Sequence, residues 1–168
     1  MSEVRYGPVI GNYNTVMLPV ADAMKFHPNG GAFVYLDANG KVSIALTATE
    51  FLFGWALVPR SLATATDISN GYWTSLTAAS TGVSKVPVIV AAMNPGVTFR
   101  VPCGAGLAVA AEIGEAGDII LTSNNGTVQS VGTATSDHDV VLMVALPEDG
   151  DTNSILVTFN PNEIQRDT

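Results

Sequence analysis

The chain carries an internal echo. Shifted by 86 residues, positions 33–49 fall on 119–135 and align Asn39-Gly40 with Asn125-Gly126, Val42 with Val128, and Thr47-Ala48-Thr49 with Thr133-Ala134-Thr135. Six of seventeen positions are identical, where unrelated segments share about one by residue frequencies. Each copy opens on an apolar run, Phe33-Val34-Tyr35-Leu36 or Ile119-Ile120-Leu121. Each leads to a second run that stops at proline: residues 51–58 before Pro59, and residues 140–146 before Pro147. Two copies are too few for a solenoid, so the pattern predicts an internal duplication with pseudo-symmetry.

Local chemistry says what the unit is. Asn-Gly between two apolar runs signals a tight hairpin, because both residues tolerate positive φ. Val42, Ile44 and Leu46 then alternate with Lys41, Ser43 and Ala45, the period of a half-buried strand. In the second copy Val128 and Val131 are three apart, and a bulge near Gly132 would restore the facing. The expected fold class is therefore all-β: two pseudo-repeated small units, as a hairpin-rich barrel or sandwich, with an extended amino-terminal arm and at most short helices.

The expected organisation is an arm over 1–20, a first β unit over 21–60, a Ser/Thr/Ala-rich connection over 61–85, a second unit over 86–161 and a polar, fraying tail over 162–168. Residues 20–26 are expected to form at most one helical turn. Asn94-Pro95-Gly96 suits a type II turn, which makes a hairpin of the runs on either side. The alanine-rich residues 107–113 suit a short helix capped by Gly114.

Composition bears on function more than on fold. Apolar residues make up 47% of the chain and charged residues 13%, about half the usual charged share. So few charges leave apolar surface uncovered, which predicts burial against other copies or another protein. No apolar run is long enough to span a membrane, and Met1-Ser2-Glu3 does not open a secretory signal, so neither is expected. The net charge is −8 and the seven basic residues are scattered singly, a pattern that excludes a phosphate-binding patch and with it a nucleic-acid role. A single cysteine, Cys103, rules out an intramolecular disulfide framework.

Candidates for chemistry are sparse. His27 and His138 are the only imidazoles, and His138 with Asp137 and Asp139 reads as a solvated loop before it reads as a metal site. Nothing in the sequence places Cys103 beside His138 as nucleophile and base. Gly104-Ala105-Gly106 lacks the third glycine of a dinucleotide fingerprint, since position 109 is Val109. Glu148-Asp149-Gly150-Asp151 lacks the spacing of a calcium loop and reads as an acidic turn. Asn125-Gly126-Thr127 fits a sequon, though a tight turn explains it. Trp55 and Trp73 are core or interface anchors by default. Arg60-Ser61 is the one faint phosphate-cradling candidate. No catalytic, cofactor-binding or metal-binding residue is therefore expected. The expected interface residues are Tyr6, Val9, Ile10 and Tyr13 of the arm with Tyr72 and Trp73 of the connection.

A short apolar β unit with an Asn-Gly turn, a Thr-Ala-Thr strand end and an apolar strand ending at proline resembles the head decoration, or cement, proteins of tailed bacteriophages. The second half carries the closer likeness, through residues 117–121, Asn125-Gly126-Thr127-Val128, residues 140–145 and residues 155–159. The resemblance implies an all-β protein, commonly a homotrimer, made in the host cytoplasm and placed on the outer surface of the virion. Its partners would be the major capsid protein and itself, with no enzyme activity and no cofactor. The arm would act as a clasp ordered by a neighbouring subunit, so that deleting residues 1–15 would weaken shell binding yet spare the β fold. Two other classes stay open: a tail or fibre module, and a trimeric β enzyme or carbohydrate-binding domain.

Overall fold

A computed structural model describes residues 6–21, 24, 26, 31–47, 49, 51–57, 65, 85–104, 110–121, 129–133 and 140–165. It is an all-β protein of two sheets built from eleven strands among these residues. They are β1 (Gly7–Ile10), β2 (Thr15–Pro19), β3 (Ala32–Leu36), β4 (Val42–Ile44), β5 (Gly54–Ala56), β6 (Lys85–Val90), β7 (Thr98–Pro102), β8 (Ala116–Ile120), β9 (Ser130–Thr133), β10 (Val141–Ala145) and β11 (Ser154–Phe159). One sheet runs β4-β3-β5-β6-β2 and the other β9-β8-β10-β11-β7-β1, with every paired strand antiparallel to its neighbours.

The duplication is present at the level of topology. Taken in chain order, β2 to β6 and β7 to β11 occupy the same five places in their sheets. The hairpin register agrees as well: Val34 faces Ile44, and adding 86 to both gives Ile120 facing Ser130, which is the observed pair. Each unit also curls back on itself in the same way. Val20, just past β2, makes a parallel bridge to Val42 of β4, and Cys103, just past β7, makes one to Val131 of β9. The residue after each bridge donates its N–H to the same partner, Ala21 to the Val42 carbonyl at 2.9 Å and Gly104 to the Val131 carbonyl at 2.7 Å. The units are therefore residues 15–90 and 98–159, and β1 is an additional strand on the second.

These boundaries correct three expectations. Residues 61–85 do not link the units; they lie between β5 and β6 of the first, and all but Lys85 and residue 65 lie outside the described residues. The run beginning at Val86 belongs to the first unit, where β6 pairs with β5 and β2. Asn94-Pro95-Gly96 consequently closes no hairpin: β6 and β7 lie in different sheets, and the turn carries the chain from one to the other after a single 3-10 turn at Ala91–Met93. A turn sequence reverses the chain locally, but tertiary pairing decides whether the two flanking strands meet.

The amino-terminal segment is extended, yet it is ordered by its own chain. β1 pairs with β7 and β2 with β6, so residues 7–19 serve both sheets and cross between them at residues 11–14, beside the β6-to-β7 crossing. Strands that switch sheets need a bend, and Asn94 holds this one. Its Oδ1 accepts the Asn14 N–H at 3.0 Å, and its Nδ2 donates to the carbonyls of Asn14 at 3.3 Å and Val90 at 2.9 Å. Deleting residues 1–15 would remove β1 and the first residue of β2, so such a truncation takes away an edge strand of the six-stranded sheet and not a free arm.

The first hairpin takes the three-residue form. Gly40 donates to the Asp37 carbonyl, Asp37 to the Lys41 carbonyl, and the Asp37 carboxylate accepts the N–H groups of Asn39 and Lys41. Only the glycine needs the left-handed region, at φ +69°. The matching turn of the second unit lies outside the described residues, but the expected bulge near Gly132 is absent, since β8 and β9 pair in unbroken register from Gly117 and Thr133 to Ile120 and Ser130. Of the expected helix over 107–113, residues 107–109 lie outside the described residues and the rest is not helical. Residues 110–114 form turns that end with Gly114 at φ +95°.

One core joins the units. Phe33 and Trp55 from the first sheet meet Phe99 and Phe159 from the second, with ring centroids 4.7–5.9 Å apart, the spacing at which aromatic pairs add to their area burial. Trp55 is thus a core anchor. Polar ties cross the same boundary. Gln129, buried just before β9, accepts the Phe33 N–H at 2.7 Å and donates to the carbonyls of Phe33 at 2.9 Å and Ala45 at 2.8 Å. Gln165 brackets Leu36 in the same manner, at 2.8 and 3.0 Å. The backbone of Glu163 and Gln165 pairs with Leu52. The carboxyl-terminal segment up to Gln165 is therefore docked where sequence reading expects fraying, because its amide side chains and backbone complete strands the first unit leaves open.

Candidate functional site

Beneath the β10–β11 turn lies a cluster of charged groups. Arg100 projects from β7 and donates from Nη1 and Nη2 to the two Asp149 carboxylate oxygens at 2.7 and 3.1 Å, from Nη2 to Asp151 at 2.9 Å and from Nε to Ser154 Oγ at 2.9 Å. Ser154 in turn donates to the Asp151 carboxylate at 2.5 Å. The hydrogen bond from Ser154, then those from the Asn153 backbone and Arg100, hold Asp151 at a pKa of about 2. Asp149 is also held below its usual value, chiefly by its bond to Arg100, and the guanidinium is raised in return. The fork geometry consumes the cation: one guanidinium occupies both carboxylates of the acidic turn. Burial first, then the Asp151 charge, pushes Tyr6 and Cys103 upward. A half-buried thiol kept in its protonated form is a poor nucleophile. The cluster is a clamp on a turn.

Among the described residues no three His, Cys, Asp or Glu side chains converge as metal ligands would, and no helix is long and apolar enough to cross a membrane. His27, His138, Asp137, Asp139, Arg60 and Ser61 lie outside the described residues, as do Tyr72 and Trp73 of the expected interface.

The remaining feature of note is exposed apolar surface: among the described residues Phe51, before β5, and Ile120, at the end of β8, are exposed, and the other large exposed apolar side chains fall in two places. The first is the ribbon formed by β1, the crossing and β2. Val9, Ile10, Tyr13, Val16 and Met17 all face solvent there, Ile10 at 57% and Met17 at 56% exposure, and Met93 stands beside Asn94 at the same corner. The second is at one end of the six-stranded sheet. Gly114 donates to the Met143 carbonyl, which sets Ile113 and Val144 on either side of that bond, with Leu146 two residues further on. All three are exposed.

Of the residues expected at an interface, Val9, Ile10 and Tyr13 do share the ribbon, and Tyr6 lies at its start beside the Arg100 clamp. Val16, Met17 and Met93 were not among them. A signal was available: from Tyr6 to Ala21 the sequence carries no charged residue, and strands at sheet edges ordinarily carry charges that discourage pairing. Ile113, Val144 and Leu146 gave no such signal, since each sits within an apolar pattern that reads as core.

No protein-family model, no curated protein and no solved structure matches the chain.

Proposed function

We propose that this chain is a structural component of a tailed-phage virion, binding the outer capsid surface and stabilising contacts between shell subunits as an oligomer. The observation that carries the reading is the pair of separate apolar surfaces on one tandem β framework. A cement protein has two contacts to make, one with its own copies and one with the shell. The ribbon and the Ile113, Val144 and Leu146 patch offer one surface for each. The low charged fraction supports the same conclusion, because surface destined for an interface is depleted in charge. The sequence resemblance of the second unit to head decoration proteins points the same way. In this role the protein stabilises the assembled shell by mass action, binding the closed form and not its separated parts, and no reacting group is required.

Co-sedimentation with purified particles tests the proposal, with the copy ratio to the main shell protein read from a stained gel. The expected result is a ratio near one or a simple fraction of one. A handful of copies per particle would move the protein to the tail or a fibre, and its absence from particles would overturn the virion reading altogether.

A further inference from the structure

The two units are equivalent in all five strand places, but they differ at one edge. In the second unit the outer side of β7 is covered at both ends: β1 pairs with residues 98–100 and β9 bridges to Cys103, just past the strand. In the first unit the equivalent strand is β2. Its far end is covered likewise, through the Val20 bridge to β4, but among the described residues nothing pairs with the outer side of Thr15, Val16 or Met17. The place that β1 fills in one unit is open in the other. Among the described residues the outer side of β1 is also unpaired, since β1 ends its sheet.

These two open edges are consecutive on one ribbon, joined only by residues 11–14. We infer that they cover each other in a second copy of this chain: β1 of one protomer lies antiparallel to β2 of its partner, and the reverse pairing follows from the same two-fold axis. Sheet edges recruit extended segments by main-chain hydrogen bonding, and here each protomer is donor and acceptor at once. A two-fold interface must be self-complementary, and this ribbon is. With Ile10 opposite Val16, Tyr13 lies on the axis, Pro8 and Pro19 lie towards the ends of the pairing, and Val9, at the bulge of β1, lies near Met17. That register joins the exposed apolar side chains of each protomer to those of its partner. No charged residue lies between Tyr6 and Ala21 to oppose the contact. Each five-stranded sheet continues into the six-stranded sheet of the neighbour, and the folded corner survives because a two-fold perpendicular to the sheet maps the bend onto itself.

The experiment uses the full chain free in solution, so it does not depend on shell binding. Sedimentation equilibrium of the native protein is expected to give twice the 17.4 kDa chain mass. Ile10→Lys with Val16→Lys sets lysine against lysine twice across the axis, and is expected to raise the dimer dissociation constant by about tenfold or more. Ile10→Lys with Val16→Glu sets opposite charges in the same register and is expected to restore it to within about threefold of native. Independently, Tyr13→Cys in a Cys103→Ser background is expected to oxidise to a covalent dimer, because facing residues in an antiparallel pair are about 4.5–5.5 Å apart at Cα, within disulfide reach. Thr152→Cys on the exposed β10–β11 turn is expected not to. A monomeric or trimeric native protein, equal behaviour of the two charge variants, or no cross-link through residue 13 would each overturn the inference.

Discussion

Replacing Gln129 with alanine tests whether polar side chains, and not only the aromatic core, hold the units together. In the native chain its amide satisfies three backbone groups of the first sheet, all buried. After truncation the Phe33 carbonyl still accepts the Ala45 N–H, but the Phe33 N–H loses its side-chain acceptor. An orphaned buried donor costs about 1–3 kcal/mol, and each of the other two bonds contributes about 1 kcal/mol net. The expected loss is therefore about 3–5 kcal/mol, or roughly 10 °C in Tm for a chain of this length. Urea unfolding followed by fluorescence from the buried Trp55 reads it. Gln129→Glu separates hydrogen bonding from volume. Its carboxylate accepts from Phe33 but faces two carbonyl oxygens with no proton to offer. Burial and those oxygens raise its folded pKa above the unfolded value of about 4.3, so the folded state binds the extra proton and this variant gains stability as pH falls through its folded pKa. A loss under about 1 kcal/mol for the alanine variant, or no gain on acidification for the glutamate one, would refute the reasoning.

Two further expectations follow from geometry. A Cβ at Gly54 would sit 2.2 Å from the Ile89 carbonyl oxygen, whereas one at Gly96 meets nothing within 4 Å; Gly54→Ala is expected to destabilise by about 2–3 kcal/mol and Gly96→Ala to stay within about 0.5 kcal/mol, by thermal melting. Asp151 is held below its unfolded value of about 3.9, so its contribution is complete above that pH and lost as pH falls through about 2. Melts of the native protein and Asp151→Asn are expected to differ at pH 6 and to converge by pH 2, and a gap independent of pH would remove the clamp from the stability of the turn.

The hairpin of the first unit was legible in the sequence because its information is local: Asn39-Gly40 and the apolar runs beside it mark the β3–β4 turn, but a two-residue Asn-Gly turn would set Val34 opposite Ala45, and the three-residue form sets it opposite Ile44 instead. What was not legible is non-local. The sequence around Asn94-Pro95-Gly96 turns the chain equally well whether the next strand returns to its neighbour or crosses to another sheet, and β2, 70 residues away in sequence, makes that choice by pairing with β6. Thr15 to Pro19 shows no alternation because an edge strand does not require it. Gln129 and Gln165 look like ordinary loop and tail residues, since an amide that pairs with a backbone has the same letter as one that pairs with water. The ribbon was found in part, through its aromatic and aliphatic side chains, while Arg100 was visible only as one of the polar alternates in its strand.

The way the ends are stitched has a consequence for the order of assembly on the ribosome. The β3–β4 hairpin closes over about ten residues and can form as soon as it emerges, but β2 has no partner until β6 follows some seventy residues later, and β1 none until β7. Pairings of such wide sequence separation are slow, because closure entropy must be met before the contact rewards it. Leu36, at the end of β3, waits longer still: its N–H and carbonyl are matched by Gln165, near the end of the sequence. The first hairpin to be made is thus completed by a side chain that follows Leu36 by 129 positions, and a nascent chain stalled short of Gln165 leaves the end of β3 unfinished.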